Sequence, residues 1–223
     1  MHQTVSDIRE YFKAELAAER FTIDKTNQKT IEILGASFIA DEPSIFGTPS
    51  ETYINQEVAW YLSCSTNIND ISEKPPAAWV ATANHNGEIN SNYGHLVYSE
   101  KYFSQFENAL SELQRNPDSR RAQMIYNRPS IWVEYNENGK SDYICTNAQT
   151  FYIRDGKLNM VSQMRSNDCV YGYKNDYAWA KYLMQDFVKR YNQETRNGNI
   201  EVGTLTWQVM NLHVYQKHFN LVK

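Results

Sequence analysis

Cys145 is the residue whose chemistry is easiest to name. It follows Ser141-Asp142-Tyr143-Ile144 and precedes an apolar stretch. A cysteine becomes a nucleophile when cations hold it as thiolate, and Arg120, Arg121 and Arg165 are the candidates. Without such neighbours a lone cysteine is usually a small buried hydrophobe. Arg120-Arg121 directly follow Asn116-Pro117-Asp118-Ser119. Paired guanidinium groups suit a phosphate dianion, because each fork bonds two oxygens. Arg165-Ser166-Asn167-Asp168 sets a cation, a hydroxyl and an acid side by side, although alone it reads equally as a polar loop. The five histidines include His213 and His218, with no HExxH pattern, and there is no CxxC pair, so no metal is expected. The phosphate cradles GxxxxGK[ST] and GxGxxG are also absent.

Positioning these residues requires a sizeable fold. Helical periodicity predicts helices over 6–19, 51–62, 102–115 and 175–191. In the third, Phe103, Phe106, Leu110 and Leu113 form one stripe that stops before Pro117. Strands are predicted over 31–40 and 203–209, and from Ala122 to Val161 the pattern changes to strands. Within it, Asp155-Gly156 is the turn of a hairpin spanning 149–158. Helices and strands intersperse without a βαβ rhythm, which favours an α+β class. No linker divides the chain, so a single domain over 1–223 is expected.

Composition narrows the function classes. Of 223 residues, 41% are hydrophobic and 22% charged, as in ordinary globular proteins. A net charge of −4 argues against nucleic acid as the main ligand. Three cysteines (Cys64, Cys145 and Cys169) make no disulfide framework and suggest a reducing compartment. No secretory signal opens the chain and no apolar run is long enough to span a membrane, so a cytoplasmic location is expected.

Taken together and in order, several motifs resemble the thymidylate synthase superfamily. They are 116–121, Cys145, Phe151-Tyr152-Ile153-Arg154-Asp155-Gly156-Lys157-Leu158 and Arg165-Ser166-Asn167-Asp168. Upstream, Glu57-Val58-Ala59-Trp60-Tyr61-Leu62, Gly87-Glu88 and Tyr93-Gly94 match; downstream, His213-Val214-Tyr215 does. Lys29-Thr30-Ile31-Glu32-Ile33, Ala40-Asp41-Glu42-Pro43 and Asn175-Asp176-Tyr177-Ala178-Trp179 are most similar to its deoxycytidylate hydroxymethylase branch from T-even-type bacteriophages. Synthases carry Asn where this chain has Asp176. An amide matches the carbonyl and N–H of uracil; a carboxyl group with one shared proton matches the amino group and bare nitrogen of cytosine. Mismatched buried groups cost about 1–3 kcal/mol each, enough to set base preference.

The resemblance implies a thymidylate synthase fold, with a large mixed β-sheet flanked by helices and a sheet-to-sheet homodimer. It implies transfer of a one-carbon unit from 5,10-methylenetetrahydrofolate to carbon 5 of dCMP, with water completing 5-hydroxymethyl-dCMP. Cys145 would attack carbon 6, Glu57 would move protons, and Tyr93 would help position Cys145. Lys25, Arg165 and Ser166 would bind the phosphate, joined by Arg120 and Arg121 across the dimer interface. His213 and Tyr215 would hold the deoxyribose hydroxyl, Asp176 the base, and Asp168 and Trp79 the folate. A phage-encoded enzyme would act in the host cytoplasm, with a phage nucleotide-synthesis complex as a further partner. Departures from the synthases include Thr146 in place of His and Tyr143-Ile144 in place of Pro-Pro. The chain also stops at Lys223, where relatives carry a longer tail. The alternatives are a dUMP or CMP hydroxymethylase, a thymidylate synthase, and a catalytically silent RNA-binding or scaffold protein.

Overall fold

Short local signals start most of the elements. In the computed structural model, which describes residues 3–23, 27–196 and 198–223, Thr4 caps the first helix. Its hydroxyl accepts from the Asp7 N–H while the Asp7 carboxylate accepts from the Thr4 N–H, a reciprocal capping box. In chain order the elements begin with β1 (Gln3–Thr4), α1 (Val5–Ala17), β2 (Thr22–Ile23) and β3 (Lys29–Ile39). Next come α2 (Glu51–Ser63), α3 (Ala77–Val80), α4 (Tyr93–Tyr98), α5 (Gln105–Arg115), β4 (Gln123–Ile125), α6 (Ile131–Glu134) and β5 (Thr146–Arg154). The last are β6 (Lys157–Met164), β7 (Asn167–Asp168), α7 (Gly172–Glu194), β8 (Glu201–Tyr215) and α8 (Phe219–Val222). The chain divides into two compact units, Met1–Pro49 with Ile153–Lys223 and Ser50–Tyr152. Among the described residues no helix is long and apolar enough to cross a membrane.

The first unit is a mixed sheet with helices. β3 runs antiparallel to β8 over nearly its whole length, from Thr30 opposite Tyr215 to Ile39 opposite Thr206. β6 and β7 lie parallel to β8, and β1 parallel to β3. Trp179, Ala180, Leu183, Met184 and Phe187 of α7 are buried with Trp207 of β8. Each such large side chain contributes roughly 1.5–3 kcal/mol by leaving water. The Asp155-Gly156 turn is as expected: β5 ends at Arg154, β6 begins at Lys157, and both turn residues have φ near +51° and +70°.

The second unit is mostly helical. α2 and α4 cross so closely that a Cβ at Gly94 would lie 1.7 Å from the Tyr61 carbonyl oxygen, so no larger residue fits there. α5 buries Phe106, Ala109, Leu110 and Leu113, and β4 pairs antiparallel with β5. Two expectations are corrected here. The helix expected from Tyr102 begins at Gln105, because Phe103 and Ser104 adopt left-handed backbone, and Phe103 is 81% exposed rather than part of the stripe. The stretch 122–161 is not all strand. α6 and a 3-10 turn at Glu137–Gly139 interrupt it, where buried Ile131 alone turns inward and Trp132 and Val133 stay exposed.

Candidate active site

In the second unit, α2 carries Glu57 into the interior, where it keeps only 4% of its exposure. Tyr53 lies one turn earlier on the same face, and its hydroxyl donates to Glu57 Oε1 at 2.7 Å. The Trp79 indole N–H reaches the same oxygen at 3.2 Å and the Tyr53 oxygen at 3.0 Å. Burial pushes the Glu57 carboxyl up to about 7, opposed by the Tyr53 and Trp79 hydrogen bonds. A carboxyl that titrates near neutrality can both give and take a proton at working pH. Because two donors converge on Oε1, the proton of the neutral acid belongs on Oε2. Trp79, expected to stack on folate, here has its N–H committed to this acid.

Cys145 is half-buried at the foot of β5, with its sulfur 3.8 Å from the Tyr143 carbonyl oxygen. The loop that delivers it is pinned by Asp142. Asp142 Oδ2 accepts the Asn90 and Ser91 N–H groups at 2.6 and 2.8 Å, and Oδ1 accepts the Ser91 hydroxyl at 2.7 Å. The Asn90 amide returns a bond to the Asp142 carbonyl at 2.9 Å. Two residues beyond Ser91, Tyr93 opens α4, buried between a stacked Tyr61 and an edge-on Tyr126. Arg120 and Arg121 are exposed, and Arg121 pairs with Glu112 at 3.1 Å.

In the first unit, the motif 165–168 runs beside β8. Asn167 and Asp168 of β7 pair in parallel with Leu212 and His213. The Asp168 oxygens each accept one backbone N–H, from Val170 and Tyr171, both at 3.0 Å. Each oxygen keeps a second lone-pair direction, so Asp168 is a fixed acceptor that can take further N–H donors. Asp176 is the fifth residue of α7, outside the first turn where a helix dipole favours acids. Its Oδ2 accepts instead from the Asn167 side-chain amide at 2.7 Å.

His213 is buried, which pulls its pKa down against the opposing pull of Asp168. Its Nδ1 sits 3.1 Å from Asn211 Oδ1, and the Asn211 amide donates to Glu32 at 2.6 Å. A carboxylate only accepts, so Asn211 turns its nitrogen to Glu32 and its oxygen to His213. Nδ1 therefore carries the proton and Nε2 is the acceptor. Tyr215, two residues along, has its ring edge-on to the His213 ring at 4.8 Å. Arg165 lies near enough to act electrostatically on His213, and Ser166 follows it, half-buried.

Lys25, expected at the phosphate, lies outside the described residues. Among the described residues no group of three or more His, Cys, Asp and Glu could hold a metal ion. Sequence reasoning missed Tyr53, Asp142 and Asn211. The i, i+4 spacing from Tyr53 to Glu57 and the i, i+2 strand spacing from Asn211 to His213 were available signals. Asp142 had none, since its partners are about fifty residues away in the chain.

Comparison with known proteins gives this geometry its context. The chain is 48% identical over 219 residues to proteins named deoxycytidylate 5-hydroxymethyltransferase from Enterobacteria phages T4 and T6, covering 98% of this chain and 89% of each relative. It is 27% identical over 210 residues to a thymidylate synthase from Corynebacterium aurimucosum, covering 90% of this chain and 74% of that protein. The family model described as thymidylate synthase matches residues 20–223. With a family match over most of its length and relatives at 48% identity, the chain belongs to the thymidylate synthase family.

Proposed function

We propose that this protein is a dCMP hydroxymethylase, making 5-hydroxymethyl-dCMP and tetrahydrofolate from dCMP, 5,10-methylenetetrahydrofolate and water. The observation that carries the reading is Asp176, a carboxyl group held on an amide donor within a family whose relatives at 48% identity bear that activity in their names. Methylenetetrahydrofolate supplies the one-carbon unit. Cys145 attacks carbon 6 of the base, and the new S–C bond makes carbon 5 nucleophilic. Carbon 5 bonds the one-carbon unit and loses its hydrogen as a proton, and the C–N bond to tetrahydrofolate breaks, leaving an exocyclic methylene on the base. Water then adds to the exocyclic carbon, and the S–C6 bond breaks to return the thiolate.

Each described side chain has a part consistent with its surroundings, and Lys25, outside the described residues, takes its part from the resemblance alone. Glu57, poised near 7, relays protons to and from base and water. His213 offers Nε2 as acceptor to the sugar hydroxyl, and Tyr215 offers a phenol beside it. Arg165, Ser166 and Lys25 bind the phosphate, and Asp168 takes the pterin donors. Tyr93, wedged between two tyrosines, stiffens the surroundings of Cys145.

The active unit in this reading is a homodimer. The sheet of the first unit exposes Leu34 at 72% and Met210 at 52%, apolar surface that a second copy would cover. Arg120 and Arg121, exposed in the single chain, then serve the partner's phosphate site. The family match extends over both compact units, which supports one catalytic domain. With phage relatives, the enzyme acts in the cytoplasm of an infected host. The test is mass spectrometry of products from methylenetetrahydrofolate with dCMP, dUMP or CMP in separate reactions. A hydroxymethyl adduct on dCMP alone is expected; a methylated product from dUMP would overturn the reading.

A further inference from the structure

Asp176 is not held by its own helix but by a short relay on the sheet side. The Trp207 indole N–H donates to Asn167 Oδ1 at 3.2 Å, and Asn167 Nδ2 donates to Asp176 Oδ2 at 2.7 Å. All of this is tightly placed. Trp207 is fully buried, Asn167 retains 3% exposure, and the Asn167 backbone is fixed opposite Leu212 in the sheet. The direction of the relay follows from chemistry. An indole nitrogen can only donate, so the Asn167 atom facing it is the oxygen, and the amide nitrogen must face Asp176.

A third residue keeps the gap open. A Cβ on Gly172 would lie 3.0 Å from Asn167 Nδ2 and 3.7 Å from Asp176 Oδ2, tight enough to displace the amide. The absence of a side chain at the start of α7 thus gives Asn167 its line to the carboxyl group.

The consequence concerns which oxygen of Asp176 can carry a proton. Oδ2 receives a donor from the protein, which favours it as a bare acceptor and disfavours it as an O–H. A proton on the group is therefore kept off Oδ2. A carboxyl group that could place its proton on either oxygen would match both bases. It could accept from the amino group of cytosine, or donate to the carbonyl of uracil. Fixing Oδ2 as an acceptor removes the second option.

We propose that Asn167, oriented by Trp207, is a specificity-determining positioning residue. It locks Oδ2 of Asp176 as the acceptor that meets the cytosine amino group and repels the uracil carbonyl. This rests on the dCMP reading above and adds the device that enforces it. Asn167 need not touch the substrate.

The experiment measures kcat/KM for dCMP and for dUMP in competition, using wild type, Asn167→Leu and Trp207→Phe. The ratio of the two constants does not depend on what fraction of a preparation is folded, so partial misfolding does not mask the result. Asn167→Leu removes the donor; Trp207→Phe keeps an aromatic ring in the core and, without the indole N–H, lets the amide turn. The dCMP-to-dUMP ratio is expected to fall about 10- to 100-fold in Asn167→Leu. A smaller fall in the same direction is expected in Trp207→Phe. Equal losses on both substrates, leaving the ratio unchanged, would overturn the proposal and make Asn167 a structural residue. If instead wild type shows no preference for dCMP, it is the dCMP reading that fails.

Discussion

Glu57 and Asp142 are both buried carboxyl groups in the same unit, and burial pushes both upward. Their donors differ. Asp142 is gripped by two backbone N–H groups and the Ser91 hydroxyl, distributed over both oxygens. Glu57 receives a phenol and an indole, both on one oxygen. Backbone donors belong to the fold and cannot be released without moving the chain. Asp142 therefore acts as a clamp that joins the loop before Cys145 to the segment before Tyr93. Glu57 has an oxygen on which a proton can come and go while Tyr53 and Trp79 hold the other. Burial by itself does not distinguish a carboxyl that can exchange a proton from one that is held; the arrangement of donors does.

Glu57→Gln separates the two carboxyl groups most strongly. It keeps the shape and removes the titrating proton, so kcat should drop about 10²–10⁴-fold with the secondary structure unchanged by circular dichroism. A comparable loss of activity in Asp142→Asn, without any loss of stability, would erase the distinction.

The second effect is on stability against pH. Glu57 binds its proton more tightly in the folded protein than in an unfolded chain, where a carboxyl titrates near 4.5. Its protonated form thus supports folding fully below about 4.5, and that support is lost as pH rises to about 7. By linkage the change is about 3 kcal/mol. Glu57→Gln should abolish this slope. Denaturant melts at pH 5 and pH 8 should show the variant gaining on wild type at the higher pH. A parallel pH response in the two proteins would mean that Glu57 is not the group responsible.

Asp142→Asn should act in the opposite sense. An amide in that place turns an N–H group toward existing donors, costing about 1–3 kcal/mol of stability. The loss should appear as a lower denaturation midpoint. The smallest effect belongs to Tyr53→Phe. Removing a hydrogen bond that favours the carboxylate raises the Glu57 pKa further. The limb of the pH–rate profile that follows Glu57 should move to higher pH, with only a few-fold loss of activity at pH 7. An unmoved limb would detach Tyr53 from the acid.

What could be read beforehand follows the range of the interactions. α2, α5 and α7 and the Asp155-Gly156 turn depend on neighbours within a few residues, and their types were legible. Phe103 fits the apolar spacing of α5 but lies outside it, because two successive left-handed residues break the helix before it begins. The order of the site motifs was legible as a family pattern. The hydrogen bonds of Trp79 and Asn167 were not, since each reaches a residue on a different element. The clamp at Asp142 was invisible for the same reason.

The pairing of β3 with β8 has a consequence for how the polypeptide is made. These strands are neighbours in the sheet, yet β3 ends at Ile39 and β8 begins at Glu201. At about 5–20 residues per second, β3 leaves the ribosome on the order of ten to thirty seconds before its longest partner exists. During that interval a strand bearing Ile31 and Phe38 offers a bare edge to any other nascent chain. The intervening unit, Ser50–Tyr152, is continuous in sequence and can condense while β3 waits. Messages cut short before residue 201 would therefore yield fragments whose β3 lacks its longest partner strand.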